Sequence, residues 1–201
     1  MSVKAVILDA DGVVIFPWRA AQLFEREYGI TREMASEFFG GVFRDCLVGQ
    51  ADLKEVLPPY LAQWRWQASV DDFIRVWFEA ENAPDKRVID VVHTLRESGL
   101  ACYLASNQER YRAEYIRTRM GFAKVFDRLF FSCELACKKP DHAYYERIME
   151  TLGLKGLDIL FWDDSPSAVK GARACSWNAE VYTEFEGFET KLDTYLGNGW
   201  R

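Results

Sequence analysis

Short apolar runs that end in polar residues recur along the chain and alternate with stretches of helical periodicity. The runs are AVIL before Asp9, LACYLASN over 100–107, DRLFFSCE over 127–134, LDILFWDD over 157–164 and a fifth over 177–182. Helical patterns occupy 85–98, 109–119, 141–152 and 166–175, and a closing helix is expected over 185–196. Near-continuous apolar strands alternating with helices are typical of a parallel sheet covered on both faces. The pattern therefore predicts an α/β fold in three layers.

Residues 17–83 interrupt this alternation, because they carry helix-like patterns and no strand pattern. Thr31 is expected to begin a helix, while Gly40-Gly41 and Pro58-Pro59 are expected to interrupt helices. The many aromatic residues in this stretch are more typical of a helical-bundle core than of a ligand site. The sequence therefore predicts an α/β core made of 1–16 and 84–201, with an inserted α-helical cap domain over 17–83.

Composition narrows the range of partners. The 201 residues carry a net charge of -6 and contain no Lys/Arg-rich run, so a nucleic-acid or anionic-membrane surface is not expected, whereas a small anionic substrate is compatible. The five cysteines are scattered and are expected to be ordinary reduced thiols. No apolar stretch has the length of a signal peptide or a membrane span, which predicts a cytoplasmic protein. The aromatic-rich insert would either form an internal core or present a homodimer surface.

Polar residues follow several of the predicted strands at the point where each strand ends. In open parallel sheets, ligands bind outside the carboxyl ends of the strands, so these residues are expected to share one site. Taken singly, each of these short motifs is better explained as a helix cap or a solvated surface group, and only their combined order along the chain indicates a site. The candidate site residues are Asp9, Asp11, Ser106, Asn107, Lys139, Asp163 and Asp164.

Grouped carboxylates would repel one another, and some would become protonated unless a cation joined them. Oxygen ligands without histidine or cysteine favour Mg²⁺ over zinc or copper. Mg²⁺ beside a lysine and a small hydroxyl suits phosphate chemistry. Asp9 would then be either a metal ligand alone or also a nucleophile. Asp11 could transfer the proton. A calcium-binding loop of the EF-hand type is excluded, since VVIFPWRA after Gly12 contains no carboxylate.

The segments DADGV, ASN, KKPD and WDDSPSAVKGA resemble, in order and approximate spacing, the four motifs of the haloacid dehalogenase-like hydrolase superfamily. The resemblance covers the whole chain and is strongest to the branch with a small helical cap between the first two motifs, which includes sugar-phosphate phosphatases. It implies a Rossmann-like parallel sheet.

The resemblance also implies roles for the candidate residues. Asp9 matches the nucleophile that also binds Mg²⁺, and Asp11 matches the general acid/base whose backbone carbonyl binds the metal. Ser106 matches the phosphate-binding hydroxyl, with Asn107 beside it, and Lys139 matches the stabilising lysine. Asp164 best matches the acidic metal ligand of the fourth motif, and Asp163 matches a supporting or alternate ligand.

Two positions depart from the usual motifs, namely Ala10 between the first two acids and Trp162 before the acidic pair. Trp162 is expected either to narrow the edge of the site or to pack internally. Dehalogenases of the superfamily lack an acid where this chain has Asp11, which favours phosphate chemistry. The expected activity is Mg²⁺-dependent hydrolysis of a small phosphate monoester, by resemblance a sugar phosphate or similar metabolite, through an aspartyl-phosphate. The alternatives are a phosphomutase, a 2-haloacid dehalogenase and a non-catalytic binding module.

Overall fold

A computed structural model describes residues 3–17 and 19–200. Within these residues, five strands form one sheet in which every neighbouring pair is parallel: β1 (Ala5–Leu8), β2 (Ala101–Ser106), β3 (Arg128–Phe131), β4 (Ile159–Asp163) and β5 (Asn178–Val181). Their order across the sheet is β3-β2-β1-β4-β5. The central position of β1 places its carboxyl end between those of β2 and β4. The predicted parallel α/β fold is confirmed.

A helical insert, defined here as residues 19–80, follows β1 and precedes β2 in the sequence. Thr31 begins its second helix as expected, because its hydroxyl accepts a hydrogen bond from the Met34 backbone N–H at 3.2 Å. Pro58 is the first residue of a short helix, a position where its missing N–H costs nothing. The insert contains α1 (Arg19–Tyr28), α2 (Arg32–Gly40), α3 (Phe43–Cys46), α4 (Leu53–Val56), α5 (Pro58–Gln63) and α6 (Val70–Ala80).

The insert has an apolar core of its own, formed mainly by buried aromatic and leucine side chains. The exact division into a core of 1–16 and 84–201 and a cap of 17–83 stays a prediction. Four positions of those ranges, namely 1, 2, 18 and 201, lie outside the described residues.

The remaining helices alternate with the strands, as the periodicity predicts, and no described helix is both long and apolar enough to cross a bilayer. Single 3₁₀ turns cover Gly156–Asp158 and Asn198–Trp200. The helices are α7 (Lys86–Glu97), α8 (Arg110–Thr118), α9 (Phe122–Val125), α10 (Ser132–Leu135), α11 (His142–Leu152), α12 (Pro166–Ala174) and α13 (Phe185–Leu196).

Successive residues of β1 point to opposite faces of the sheet, and both faces are covered. Val6 and Leu8 belong to one apolar cluster, which includes side chains of α7 and α13, whereas Ile7 belongs to a second cluster with α11 and α12. Trp162 is fully buried in the first cluster, with its ring 4.9 Å from that of Phe188. Of the two expectations for Trp162, internal packing is the one observed.

The apolar run over 127–134, within which a strand is expected at 129–132, contains both a strand and a helical turn. β3 ends at Phe131, and Ser132–Leu135 forms the helical turn α10. The Ser132 side chain is buried, and its hydroxyl accepts a hydrogen bond from the Gln108 backbone N–H at 3.0 Å. This tertiary contact holds the turn against the segment after β2. A short apolar run alone does not distinguish a strand from a helical turn.

Glu109 caps α8 from a buried position. Its carboxylate accepts hydrogen bonds from the backbone N–H groups of Tyr111 at 2.9 Å and Arg112 at 2.5 Å. Burial raises the pKa of Glu109 from 4.5 to about 6, although these two hydrogen bonds act to lower it. Ionisation of this group is therefore harder in the folded chain than in the unfolded chain, and the folded state loses stability as the pH rises from about 4.5 to about 6.

Replacement of Glu109 by Gln should remove this loss while keeping an acceptor for the helix. Compared with the parent protein, Glu109→Gln should gain about 2 kcal/mol in free energy of unfolding between pH 4 and pH 7, as measured by urea denaturation. Glu97→Gln, at an exposed position of α7, is the control and should show no such gain. If the free energy of unfolding changed with pH in the same way in the parent protein and in Glu109→Gln, the prediction would be contradicted.

Candidate active site

Three neighbouring strands deliver polar residues to one edge of the sheet. Asp9 directly follows β1, Ser106 is the last residue of β2 and Asp163 is the last residue of β4. The Asp9 backbone N–H donates to the Trp162 carbonyl at 2.9 Å, which extends the pairing of β1 with β4 as far as the site. The parallel order of the strands thus brings together residues that are far apart in the chain.

Lys139 lies at the centre of this edge and is only 5% exposed. Its Nζ is 2.9 Å from Asp9 Oδ1 and 2.5 Å from Asp163 Oδ2, and it donates to the Ala105 carbonyl at 2.9 Å. Burial acts to lower the pKa of Lys139, but the two carboxylates outweigh burial and raise that pKa. The lysine is therefore a buried ammonium group that holds the carboxyl ends of three strands together.

The side chain of Asn107 fixes the segment that carries this lysine. Its Oδ1 accepts from the Lys139 backbone N–H at 2.9 Å, and its Nδ2 donates to the Lys139 carbonyl at 3.0 Å. The sequence predicts Asn107 as a substrate-binding residue, which stays a prediction. In the structure, both ends of its side-chain amide contact the backbone of Lys139.

Asp9, Asp163 and Asp164 each offer a carboxylate oxygen within 4.8 Å of those of the other two. Burial raises the pKa of Asp9 to about 8, Lys139 opposes this rise, and Asp163 adds to it. Burial and the Asp163 charge also raise the pKa of Asp164. Three close carboxylates with one ammonium leave an excess of negative charge, which a hard divalent cation would neutralise. The oxygen-only donor set fits Mg²⁺.

The two acids of the fourth motif differ in their surroundings. Asp163 is 1% exposed; its Oδ2 contacts Lys139, and its Oδ1 accepts from the Ser165 backbone N–H at 2.8 Å. Asp164 is exposed and borders the same cavity as Asp9. The geometry thus makes Asp164 the more accessible of the two carboxylates.

Gly12 leaves the space in which the Asp164 carboxylate lies. Its φ is +82°, and a Cβ atom at this position would lie 2.3 Å from Asp164 Oδ2. Glycine is required here for two reasons, since the backbone is left-handed and the acid packs directly against it.

Asp11 is held by residues that the sequence analysis did not identify. Its Oδ2 accepts from Gln108 Nε2 at 2.6 Å, and its Oδ1 lies 3.7 Å from an Arg112 guanidinium nitrogen. The same Gln108 nitrogen donates to the Ser106 hydroxyl at 3.0 Å. Gln108 directly follows the ASN segment in the sequence, and this adjacency is the feature that could have indicated a role in the site. Nothing in the local pattern distinguishes Arg112.

Arg112 connects the sheet side of the site to the insert, and only 3% of it is exposed. Its guanidinium carbon is 5.4 Å from the ring centre of Phe78 and 5.6 Å from that of Tyr115. It donates to the carbonyls of Phe78 and Glu81 at the end of α6, both at 3.3 Å. The position of the insert next to Asp11 thus depends on a buried cation.

A cavity of about 580 Å³ extends from these acids into the insert. All seven residues expected at the site border it, and Lys139 and Asp163 do so although they are almost fully buried. Arg19, His93 and His142 are not among the described residues that border the cavity.

Comparison with known proteins identifies the family. The model of the haloacid dehalogenase-like hydrolases matches residues 3–176, and the chain therefore belongs to this family of hydrolases. The phosphatase MT3486 of Mycobacterium tuberculosis is 27% identical over 190 residues, which cover 89% of this chain and 87% of that protein.

Solved structures share the fold. The family enzyme bt-2542 of Bacteroides thetaiotaomicron, crystallised with magnesium and inorganic phosphate, superposes with a TM-score of 0.75 at 19% identity, over 92% of this chain and 96% of its own. The L-2-haloacid dehalogenase of Xanthobacter autotrophicus, with chloropropionic acid covalently bound, superposes with a TM-score of 0.68 at 19% identity, over 96% of this chain and 83% of its own.

Replacement of Gly12 by Ala should displace Asp164 in addition to straining the backbone. Gly29 is a matched control, because its φ is +66° and a Cβ there would meet nothing within 4 Å. Both variants should lose about 1 kcal/mol in free energy of unfolding from the left-handed backbone. Only Gly12→Ala should also weaken Mg²⁺ binding, by about tenfold, in calorimetric titration. Equal Mg²⁺ affinity in the two variants would contradict this account of Gly12.

Proposed function

We propose that this protein is a Mg²⁺-dependent phosphatase that hydrolyses a phosphate monoester through an aspartyl-phosphate. The observation that carries the proposal is the grouping of Asp9, Asp163 and Asp164 around a buried lysine, with Asp11 at the same end of the cavity. The similarity to a mycobacterial phosphatase and the magnesium and phosphate of the Bacteroides enzyme support it.

Asp9 is the proposed nucleophile. Its Oδ1 accepts from the Ala10 backbone N–H at 2.7 Å and contacts Lys139 at 2.9 Å. Because Oδ1 makes both of these contacts, Oδ2 is the oxygen we assign to attack on phosphorus. Formation of the bond from Oδ2 to phosphorus breaks the bond from phosphorus to the alcohol oxygen.

Asp11 is the proposed general acid and base. It donates a proton to the departing alcohol oxygen and then accepts a proton from the water that attacks the aspartyl-phosphate. The second step releases inorganic phosphate and regenerates the Asp9 carboxylate. Gln108 and Arg112 contact the Asp11 carboxylate and set its position between these proton transfers.

The Mg²⁺ ligands we assign are the carboxylates of Asp9 and Asp164 and the backbone carbonyl of Asp11. When bound, Mg²⁺ would neutralise charge on the phosphoryl oxygens. Asp163 is engaged with Lys139 and Ser165, and we therefore assign it to holding the lysine.

The phosphoryl group would also contact Ser106 and Lys139, whose hydroxyl and ammonium groups supply hydrogen bonds and positive charge. Asn107 keeps the Lys139 backbone in place and thereby positions the ammonium group. Homodimerisation and a cytoplasmic location stay predictions.

A dehalogenase is the second candidate, because the Xanthobacter enzyme shares the fold. The Asp11 carboxylate, which contacts Gln108 and borders the cavity, favours proton transfer to an alcohol oxygen over displacement of halide. Halide release from 2-chloropropionate, measured without Mg²⁺, tests this candidate in parallel. A phosphomutase would use the same residues and would convert one sugar phosphate into another in the presence of a bisphosphate.

Replacement of Asp9 by Asn should abolish hydrolysis of p-nitrophenyl phosphate, because the amide cannot form the acyl phosphate. The parent protein should turn over this ester with Mg²⁺ and lose activity in EDTA. We expect Asp9→Asn to reduce kcat by at least about 10³-fold.

The control is Asp90→Asn, an exposed acid of α7 that pairs with Lys86 on its own helix and should leave kcat unchanged. Circular dichroism and thermal unfolding establish that both variants are folded. Metal-dependent turnover by a folded Asp9→Asn protein would refute the proposed mechanism.

Replacement of Gln108 by Leu should impair proton transfer by Asp11 more than phosphoryl binding. An alkyl phosphate needs a proton on its departing oxygen, whereas p-nitrophenolate leaves without one. Hydrolysis of the aspartyl-phosphate is common to both esters, so the comparison is made in kcat/KM, which covers only the steps up to release of the alcohol. We therefore expect kcat/KM for an alkyl phosphate to fall about tenfold further than kcat/KM for p-nitrophenyl phosphate.

Asp11→Asn provides the reference for complete loss of the acid and should show the same selectivity to a greater degree. A Gln108→Leu protein that loses the same factor in kcat/KM with both esters would contradict the positioning role of Gln108.

A further inference from the structure

The cavity has two chemically different ends. Its sheet end carries the acids, Ser106 and Lys139, whereas its other end lies inside the helical insert. The side chains that border the insert end are predominantly aromatic and aliphatic. They come from four helices of the insert and from the segments that connect its helices. They are Ala20, Ala21, Phe24, Ile30, Ala35, Phe39, Phe43, Leu47, Trp64, Phe73 and Trp77.

Several of these side chains would fill the core of an ordinary helical bundle. Phe24, Trp64 and Phe73 are buried and belong to the apolar core of the insert, yet they also border the cavity. The rings of Phe24 and Phe73 stack with centroids 4.6 Å apart and an interplanar angle of 9°. The side chains of the insert therefore surround the cavity and do not fill it.

Three of the polar groups that border this end are hydrogen-bonded to the backbone of the insert. The Thr31 hydroxyl accepts from the Met34 N–H, and the Ser36 hydroxyl donates to the Glu33 carbonyl at 2.6 Å. The indole nitrogen of Trp64 donates to the Met34 carbonyl at 3.2 Å. A polyhydroxylated alcohol would lose its hydrogen bonds to water here and find few replacements, which is costly. This disfavours the sugar phosphate that the resemblance implies.

Apart from Arg32, the charged groups that border the cavity lie at its sheet end or have backbone partners. Glu81 accepts from the Ala20 backbone N–H at 3.0 Å, and Arg112 donates to carbonyls at the end of α6. Arg32 is exposed at the start of α2. The surface of the insert end is thus mainly apolar, and a hydrocarbon group bound there would be stabilised by its removal from water.

We propose that the substrate is the phosphate monoester of an apolar alcohol, whose hydrocarbon chain lies in the cavity of the insert while its phosphate lies against Asp9 and Lys139. This proposal rests on the phosphatase function proposed above. The apolar aromatic lining and the acidic sheet end then recognise the two ends of one amphiphilic molecule.

The first experiment measures kcat/KM for n-alkyl phosphates from ethyl to octyl, with glycerol phosphate and glucose 6-phosphate as polar comparisons and Mg²⁺ in excess. We expect kcat/KM to rise about fourfold for each added methylene until the cavity is filled. The polar esters should fall below the alkyl ester of similar size. A flat series, or preference for the polar esters, would overturn the proposal.

The second experiment narrows the cavity. Ala35 borders it from α2, so Ala35→Phe should reduce the ratio of octyl to ethyl phosphate hydrolysis by at least about tenfold. Ala62→Phe is the matched control, because Ala62 is exposed on α5 and is not among the residues that border the cavity. It should keep the parent ratio. Thermal unfolding verifies that both variants are folded, and an unchanged ratio in a folded Ala35→Phe protein would overturn the proposal.

Binding of non-hydrolysable alkylphosphonates separates this proposal from the phosphatase function. Turnover of p-nitrophenyl phosphate that requires Asp9, combined with equal affinity for ethyl- and octylphosphonate, would keep the function and overturn the apolar substrate. Absence of turnover with every ester would overturn the function. In that case, tighter calorimetric binding of octylphosphonate than of ethylphosphonate, reversed by Ala35→Phe, would support an apolar cavity with an anion-binding end, whereas equal binding would overturn it.

Discussion

The pairing of the Lys139 ammonium with the carboxylates of Asp9 and Asp163 is the interaction on which the rest of the site depends. A buried ammonium is costly unless it is paired and fully hydrogen-bonded, and this one has three acceptors at 2.5–2.9 Å. These acceptors come from the ends of β1, β2 and β4, so the lysine can be satisfied only when the parallel sheet is formed in this order. Asn107 then fixes the lysine backbone, which makes the charge part of a rigid edge.

The excess of carboxylates around one lysine explains the chemistry that we propose. Burial raises the pKa of Asp9 to about 8, so the cluster favours a partner that supplies positive charge. Mg²⁺ and a phosphoryl group fit together here, since the cation offsets both the acids and the phosphate oxygens. Gly12 allows the Asp164 carboxylate to pack closely within this cluster, because the absence of a side chain at Gly12 leaves room for it.

In the function that we propose, reaction and recognition are divided between the two parts of the chain. The sheet edge would supply the reacting groups, whereas the insert would supply an apolar cavity for the alcohol. Arg112 connects the two, because it contacts Asp11 on one side and the end of α6 on the other. Such a division lets one reactive edge serve different substrates when the insert differs, and for this reason substrate class must be inferred from the cavity and not from the fold.

Local signals in the sequence were sufficient for the α/β alternation and for most residues of the candidate site. Apolar runs followed by Asp9, Ser106 and Asp163 are visible in the chain, and a parallel sheet necessarily brings the ends of such runs to one edge. Gln108 and Asp11, by contrast, are 97 positions apart, and their contact exists only in the folded chain. The helical turn that follows β3, the role of Arg112 and the apolar cavity were likewise decided by the tertiary structure. Each of them depends on how distant side chains pack against one another, which no local periodicity encodes.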